Sequence, residues 1–206
     1  MYKSIIIEYI DKVNFVQNDY GTLVQLLEKS HDNFTNYLFV VVDNIKYEKY
    51  PLTLHLSDWA EKKSLILIDE WIWLYFEGNT INQYNSIFKS ILWFSKKEST
   101  IFNKDLLRTT HIWKDVEWGK REKNYHPLGK DPGNVLLLEN AKNGIIQEQN
   151  TISNPEIIAK LVLCQIENDT ETYHFCSNKP VNLTDIQTFI SQKTEVRANI
   201  SFEKID

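Results

Sequence analysis

The chain has 206 residues, of which 42% are hydrophobic, so it can bury the core of a single domain. Its net charge of −5 at pH 7 argues against a histone-like, broadly basic nucleic-acid binder, although that charge is compatible with a local basic patch. Two cysteines exclude a disulfide-rich scaffold, and the apolar runs are shorter than the ~20 residues of a membrane span. We therefore expect reduced thiols and a cytoplasmic location without membrane contact.

The first part of the chain alternates between β-type apolar runs and segments with helical spacing. Residues 4–7 are a compact β-branched run that predicts a buried strand, and residues 19–29 carry leucines at helical spacing. A second buried strand is predicted at 37–42, Pro51 can open a helix, and a third strand is predicted at 64–76. Strand, helix, strand, helix, strand is the signature of an α/β sheet.

The second part contains a change of composition and then a return to the α/β pattern. Residues 90–94 predict a strand that could pair with the preceding one. Three of the six glycines lie in residues 102–133, which predicts a long, mostly irregular excursion; such loops are usually functional or disordered. The elements predicted after it are a helix started by the capping-box sequence from Ser153 to Glu156, a strand at 172–176, a helix capped by Asn182 and a final strand at 196–202.

Two blocks of sequence resemble blocks of the adenine-N6 and cytosine-N4 DNA methyltransferases of β-type motif order. In residues 85–108 the ILWF-x-K and FN-x-D-x-x-R patterns of that family are matched by Ile91–Phe94, Lys96, Phe102, Asn103, Asp105 and Arg108. Residues 124–135 are similar to the family pattern N-x-x-P-x-GK-(D/N)-P-G-(D/S)-V-W, and this is the more specific match. Residues 39–73 look like the family's strand, helix and strand, so the resemblance covers roughly residues 37–135.

The resemblance implies an α/β fold with a three-layer Rossmann-like methyltransferase sheet, in a single domain that spans residues 1–206. Residues 1–101 and 134–206 would form its core, and residues 102–133 would form a loop that contacts DNA. By position, residues 172–177 fall where the family has the strand that leads into its S-adenosylmethionine turn. Residues 198–204 fall where the next strand ends in an acidic residue that binds the cofactor ribose.

The chain departs from the family at the residues that carry out methyl transfer. The family's catalytic strand ends in a Pro-Pro turn that grips the flipped base, whereas this chain has no Pro-Pro pair and carries Glu8-Tyr9-Ile10-Asp11 there. It has no GxG sequence either, and Ser177-Asn178-Lys179-Pro180 follows Cys176. A Cβ atom hinders the close approach of backbone to cofactor that glycine allows. Phe88-Lys89 replaces the His-Glu pair that precedes ILWF in the family.

A cluster of basic and aromatic residues lies in the predicted excursion. The predicted nucleic-acid contacts are Lys114, Lys120, Arg121, Lys123, Lys130, Trp118 and Tyr125, with His111, Trp113 and His126 nearby. Cations would neutralise phosphates and the aromatic rings would stack on bases. Because Asp115, Glu117 and Glu122 dilute the charge, the alternative is a solvated loop with its aromatic rings docked on the domain.

Three other groups of polar residues carry no predicted chemistry. Asp69 and Glu70 are adjacent on a predicted strand, so their side chains point to opposite faces and cannot converge on one substrate atom. His55 lies among apolar residues of a predicted helix and is expected to be a packed or surface residue. His174 and Cys176 share a strand face, but two ligands do not make a metal site, and no metal is predicted.

Three hypotheses for the function follow. The first is a catalytically inactive methyltransferase-like protein that binds no cofactor and acts through DNA or through an active methyltransferase or restriction subunit, as a homo- or hetero-oligomer. The second is a divergent S-adenosylmethionine-dependent DNA amino-methyltransferase, for which Glu8, Tyr9 and Asp11 are the catalytic candidates. The third is a protein-interaction factor with no role in nucleic-acid binding.

Overall fold

The computed structural model describes residues 2–10, 15, 20–33, 37–74, 88–97, 102–109, 126–137, 155–165, 172–177, 182–194 and 199–204. The strands within these ranges are β1 (Tyr2–Ile10), β2 (Tyr37–Asp43), β3 (Lys46–Tyr47), β4 (Tyr50–Pro51), β5 (Ile66–Leu74), β6 (Phe88–Ser95), β7 (Val135–Leu137), β8 (Thr172–Ser177) and β9 (Asn199–Lys204). The helices are α1 (Tyr20–Asn33), α2 (Leu52–Lys62), α3 (Pro155–Leu163) and α4 (Leu183–Ser191), with a 3-10 turn at Lys104–Leu107. In the same ranges no helix combines the length and apolar character needed to cross a membrane.

The described strands form one mixed sheet and one short hairpin. The sheet has seven strands in the order β7-β5-β6-β2-β1-β8-β9, and β3 pairs with β4. β1 is parallel to β2 and β8, β8 is parallel to β9, and β5 is parallel to β7. β6 is antiparallel to both of its neighbours, β2 and β5. The expected pairing of the 90–94 strand with the strand before it is therefore confirmed.

Helices cover both faces of this sheet, which makes the fold three-layered. Along β2, Phe39 and Val41 belong to a core cluster shared with α3 and α4. The alternate residues Leu38 and Val40 belong to a second cluster shared with α1 and α2. Because successive strand side chains point to opposite faces, the continuous apolar run 37–42 can supply both cores, as predicted for a strand buried on two sides.

Several predicted elements occur where the sequence places them. α2 begins directly after Pro51, and Leu52, Leu56 and Trp59 are buried along one face of it. Asn182 caps α4, because its side-chain oxygen accepts hydrogen bonds from the backbone N–H groups of Thr184 and Asp185. α3 begins at Pro155, whereas the predicted capping residue Ser153 lies outside the described residues.

The described ends of the predicted excursion pack against the rest of the domain. Leu107 belongs to the core cluster that includes α3 and α4. The Phe102 ring lies 5.9 Å from that of Trp71 and 5.8 Å from that of Trp93. The backbone N–H of Asn103 donates a hydrogen bond to the carbonyl oxygen of Cys164, at 2.8 Å. Residues 102–109 are therefore fastened to the sheet and to the end of α3, and residues 110–125 lie outside the described part of the chain.

Candidate functional site

The candidate site lies at the carboxyl ends of β1 and β8, which are parallel neighbours in the middle of the sheet. In register, Ile7 of β1 is opposite Ser177, the last residue of β8. From β1 the chain continues to β2 on one side, and from β8 it continues to β9 on the other side. The strand order therefore reverses between β1 and β8. In open α/β sheets, ligands bind in the crevice beyond the carboxyl ends of the strands at such a switch point.

The candidate catalytic residues of the second hypothesis lie next to this crevice. Glu8 and Tyr9 are opposite Val40 and Val41 near the carboxyl end of β1. They come after Ile7, the last β1 residue that pairs with β8. The backbone therefore brings the end of β1 beside the end of β8, as their positions in the sequence led us to expect. Asp11 and residues 178–181 lie outside the described residues.

β9 continues this edge of the sheet on the far side of β8. Ser177 is opposite Lys204, and Cys176 is opposite Glu203. Glu203 is thus an acidic residue close to the carboxyl end of the strand next to β8. The resemblance led us to expect an acidic residue at the end of this strand, and Glu203 is the acidic residue at that position.

An ion pair that sequence reasoning did not identify lies at the same edge, between β2 and β6. The Lys89 Nζ atom is 2.9 Å from an Asp43 carboxylate oxygen, and both side chains are mostly buried. The ammonium group also lies 5.5 Å from the centroid of the Trp73 ring, within the range of a cation–π interaction. Lys89 stands where the family has its His-Glu pair, and its positive charge is engaged by Asp43 and Trp73. The only sequence signal for this pair is that the buried run 37–42 ends in an acidic residue.

The two sequence blocks that resemble the family meet each other through Arg108. Its side chain is only 7% exposed, and its Nε donates to an Asp105 carboxylate oxygen at 2.6 Å. Its Nη1 donates to the carbonyl oxygen of Gly129 at 3.1 Å. The hydrogen bond from Arg108 is the main cause that lowers the pKa of Asp105 below its ordinary value.

Asp131 extends the same network. It accepts a hydrogen bond from Lys104 Nζ at 3.0 Å, and this bond is the main cause that lowers its pKa, followed by the backbone N–H of Gly133. The network joins the 3-10 turn to residues 126–134, so the matched residues of both blocks act as a structural clamp. We call this network, made by Lys104, Asp105, Arg108, Gly129 and Asp131, the arginine clamp.

A β-bridge joins described residues on the two sides of the segment that carries most of the predicted nucleic-acid contacts. Thr109 and Lys130 form an antiparallel bridge, in which the Lys130 N–H donates to the Thr109 carbonyl oxygen at 2.7 Å and the Thr109 N–H donates to the Lys130 carbonyl oxygen at 3.3 Å. Thr109 and Lys130, which come before and after residues 110–125 in the chain, are therefore adjacent, and Lys130 is exposed. The other predicted contacts, namely Lys114, Lys120, Arg121, Lys123, Trp118 and Tyr125, lie outside the described residues, as do His111 and Trp113.

Asp69 and His55 have structural roles, as the sequence analysis expected. Asp69 accepts hydrogen bonds from the Trp71 indole N–H at 2.9 Å and from the backbone N–H of Glu70 at 2.8 Å. It therefore supports a buried tryptophan and is not half of a carboxylate pair. His55 is part-buried among tyrosine rings, and its Nε2 lies 3.2 Å from the carbonyl oxygen of Tyr47.

No protein-family model and no curated protein sequence matches the chain. Solved structures do match. The chain is similar to a cytosine-N4-specific DNA methyltransferase, PvuII, with a TM-score of 0.60 and 12% sequence identity over 99% of this chain and 76% of that one. It is also similar to M1.HpyAVI in complex with SAM, with a TM-score of 0.51 and 14% identity over 99% of this chain and 81% of that one. The Rossmann-like methyltransferase fold implied by the sequence blocks is thereby confirmed.

Proposed function

We propose, from the premise that this chain has the fold of the DNA methyltransferases, that it is a catalytically inactive relative that acts by binding. Its ligand would be DNA, and it would act alone or with an active methyltransferase or restriction subunit. The observation that carries this proposal is the junction of β1 and β8. The parallel ends of β1 and β8 are present, but the sequence there, Glu8 to Asp11 and Ser177 to Pro180, contains no Pro-Pro pair and no GxG.

The residues at this crevice do not fit S-adenosylmethionine bound in the manner of the family. A cofactor bound at a strand-to-helix turn needs the backbone of that turn to approach it closely, and a Cβ atom hinders this approach. Every residue between the end of β8 and the start of α4 carries a Cβ, because no glycine follows Gly144 in the chain. We therefore propose that the chain uses no cofactor of its own.

Calorimetry with S-adenosylmethionine tests this part of the proposal. We expect no saturable heat with the intact protein, and no transfer of labelled methyl groups to DNA. An active DNA methyltransferase in the same buffer serves as the positive control. Saturable one-to-one binding of S-adenosylmethionine together with methyl transfer would contradict the proposal that the protein is catalytically inactive.

The alternative of a divergent active enzyme is supported by Glu8 and Tyr9, which lie at the end of β1 beside the crevice. A carboxylate could accept a hydrogen bond from an exocyclic amine, and a phenol ring could stack on a base. If methyl transfer is found, Glu8→Gln and Tyr9→Phe should each lower its rate without changing cofactor affinity. If both variants transfer methyl groups at the rate of the unsubstituted protein, Glu8 and Tyr9 are not the catalytic residues.

DNA binding through the basic segment is supported by the bridge between Thr109 and Lys130, because this bridge brings together described residues from the two sides of the segment. Replacing Lys120, Arg121 and Lys123 together by alanine should lower DNA affinity and reduce the log–log salt slope by about two to three. The melting temperature should not change. A double variant of the exposed Lys97 and Lys193 is the control for loss of charge elsewhere.

Two results would contradict the DNA proposal. If the triple variant binds DNA with unchanged affinity, the basic segment is not the contact surface. If the intact protein shows no salt-dependent DNA binding at all, the hypothesis of a protein-interaction factor is favoured. Co-purification with a separately supplied methyltransferase subunit, measured by light scattering, would then identify the partner role.

A further inference from the structure

We infer that the β3–β4 hairpin is a stacking surface for an unpaired nucleotide, an inference that rests on the proposed role in DNA binding. The hairpin comprises residues 46–51, and we call it the tyrosine hairpin. It follows the carboxyl end of β2 almost directly and leads straight into α2. The backbone N–H of Leu52 donates to the carbonyl oxygen of Ile45 at 2.8 Å and closes the base of the hairpin. The hairpin therefore stands at the same edge of the sheet as the crevice between β1 and β8.

One face of the hairpin is anchored by packed aromatic rings. Tyr47 stacks on Tyr20 at the start of α1, with centroids 4.8 Å apart and ring planes 17° apart. His55 of α2 packs edge-on against Tyr47 at 5.1 Å. The Tyr20 hydroxyl donates a hydrogen bond to the carbonyl oxygen of His55 at 3.2 Å. These contacts hold the hairpin in one orientation relative to both helices.

The same face of the hairpin carries a second, more exposed aromatic ring, because Tyr50 is directly opposite Tyr47 in the hairpin register. Tyr50 is 54% exposed, and its ring centroid lies 6.3 Å from that of the anchored His55. A tyrosine on a rigid support loses little conformational entropy when a flat ligand stacks on it. Stacking on such a ring does not depend on base identity, because every base has a π-face, but it requires a base that is not already stacked in a duplex.

The charges of the hairpin favour an anionic ligand. Lys46 and Lys49 belong to the same short hairpin as Tyr50, both are exposed, and neither forms an ion pair with another described residue. Glu48 is the only acid in the hairpin. A short hairpin that carries two exposed lysines and one partly exposed aromatic ring has the groups that can hold a base and its neighbouring phosphates. A protein partner would instead use Tyr50 with Leu54, which is also 54% exposed, and that is the competing outcome of the test.

Fluorescence anisotropy with a labelled thymidine oligonucleotide, and with the matching duplex, tests this inference on the full chain. Tyr50→Ala should weaken single-strand binding about tenfold, whereas Tyr50→Phe, which keeps the ring, should retain it. Duplex binding should change much less. Replacing Lys46 and Lys49 together by glutamine should weaken binding and lower the salt slope by about one to one and a half. Glu48→Gln should strengthen it.

Two control variants separate this inference from general effects. Lys97→Gln removes one exposed charge at the opposite edge of the sheet, beyond the end of β6, and should leave affinity unchanged. Leu54→Ala removes the neighbouring apolar side chain and should also leave DNA affinity unchanged. Because Tyr50 is exposed, its replacement should not alter the melting temperature, and that measurement shows that every variant is folded.

The outcomes distinguish this inference from the proposed function. If the intact protein binds DNA and the triple variant of the basic segment weakens that binding while Tyr50→Ala does not, the hairpin inference is wrong and the DNA role stands. If Tyr50→Ala and Leu54→Ala both abolish a complex with a partner chain and leave DNA affinity unchanged, the surface binds protein and the inference is overturned. If the intact protein binds no oligonucleotide, both the DNA role and the inference fail.

Discussion

Replacement of Gly129 by alanine should disrupt the junction between the two blocks that resemble the methyltransferase family. Gly129 has a φ of +111°, a value that residues with a Cβ rarely adopt. A Cβ built at this position would lie 2.4 Å from the carbonyl oxygen of Thr109. That oxygen belongs to the backbone and already accepts the 2.7 Å hydrogen bond from Lys130, so it cannot move aside without breaking the bridge.

The expected cost has two contributions. The unfavourable φ costs about 1–2 kcal/mol for a residue with a Cβ. Loss of the Lys130–Thr109 hydrogen bond adds about 1 kcal/mol. The free energy of unfolding should therefore fall by about 2–3 kcal/mol, which lowers the melting temperature of a chain of this size by roughly 4–12 °C.

Gly133→Ala is the matched control for this measurement. Gly133 also has a positive φ, of +63°, but a Cβ there would meet no atom within 4 Å. Both substitutions stiffen the unfolded chain equally, so that contribution cancels in the comparison. Urea unfolding of both variants should show a greater loss for Gly129→Ala, by about 1 kcal/mol. Equal losses would refute the argument that the contact with Thr109 is what demands glycine.

Three further predictions concern single features of the fold. Lys89→Met removes the ammonium group from the mostly buried Asp43 and should lower the free energy of unfolding by about 2 kcal/mol in urea. The double variant with Asp43→Asn should recover part of this loss. If the losses of the two single variants simply add in the double variant, the two side chains are not coupled. Asn182→Ala should cost about 1 kcal/mol through loss of the α4 cap, while Asn182→Asp, which can also cap, should cost much less. Burial raises the pKa of the Cys164 thiol to about 12. In a Cys176→Ser background the folded protein should therefore resist a thiol reagent at about pH 8 and react after unfolding, because an unfolded cysteine ionises near pH 8.5. The same shift makes the contribution of Cys164 to the free energy of unfolding decline as the pH rises above about 8.5, and rapid labelling of the folded protein would contradict the burial argument.

The sequence by itself determined the elements whose signals are local. The continuous apolar runs of β2 and β6, the helix after Pro51 and the cap at Asn182 all occur where they were predicted. These signals depend on hydrophobic periodicity and on backbone groups within a few residues, so neighbours along the chain are sufficient to define them. The missing Pro-Pro pair and GxG turn are also properties of the sequence alone.

The candidate site was predictable only in outline. Its location at the ends of β1 and β8 followed from the resemblance, and the parallel pairing of those strands agrees with it. The basic cluster of residues 110–125 remains a prediction. The arginine clamp and the tyrosine hairpin were not anticipated, because periodicity and composition say which residues are buried and not which distant residues meet.

Only the tertiary structure decided the strand order, the reversed direction of β6 and the pairs that depend on them. Asp43 faces Lys89 because β2 and β6 run antiparallel with Asp43 and Lys89 in register. A shift of one residue in that register would move each side chain to the other face of the sheet, and no local signal in either strand specifies the partner. The chemistry-bearing contacts of this protein therefore arise from strand register and helix packing, which involve residues far apart in the sequence.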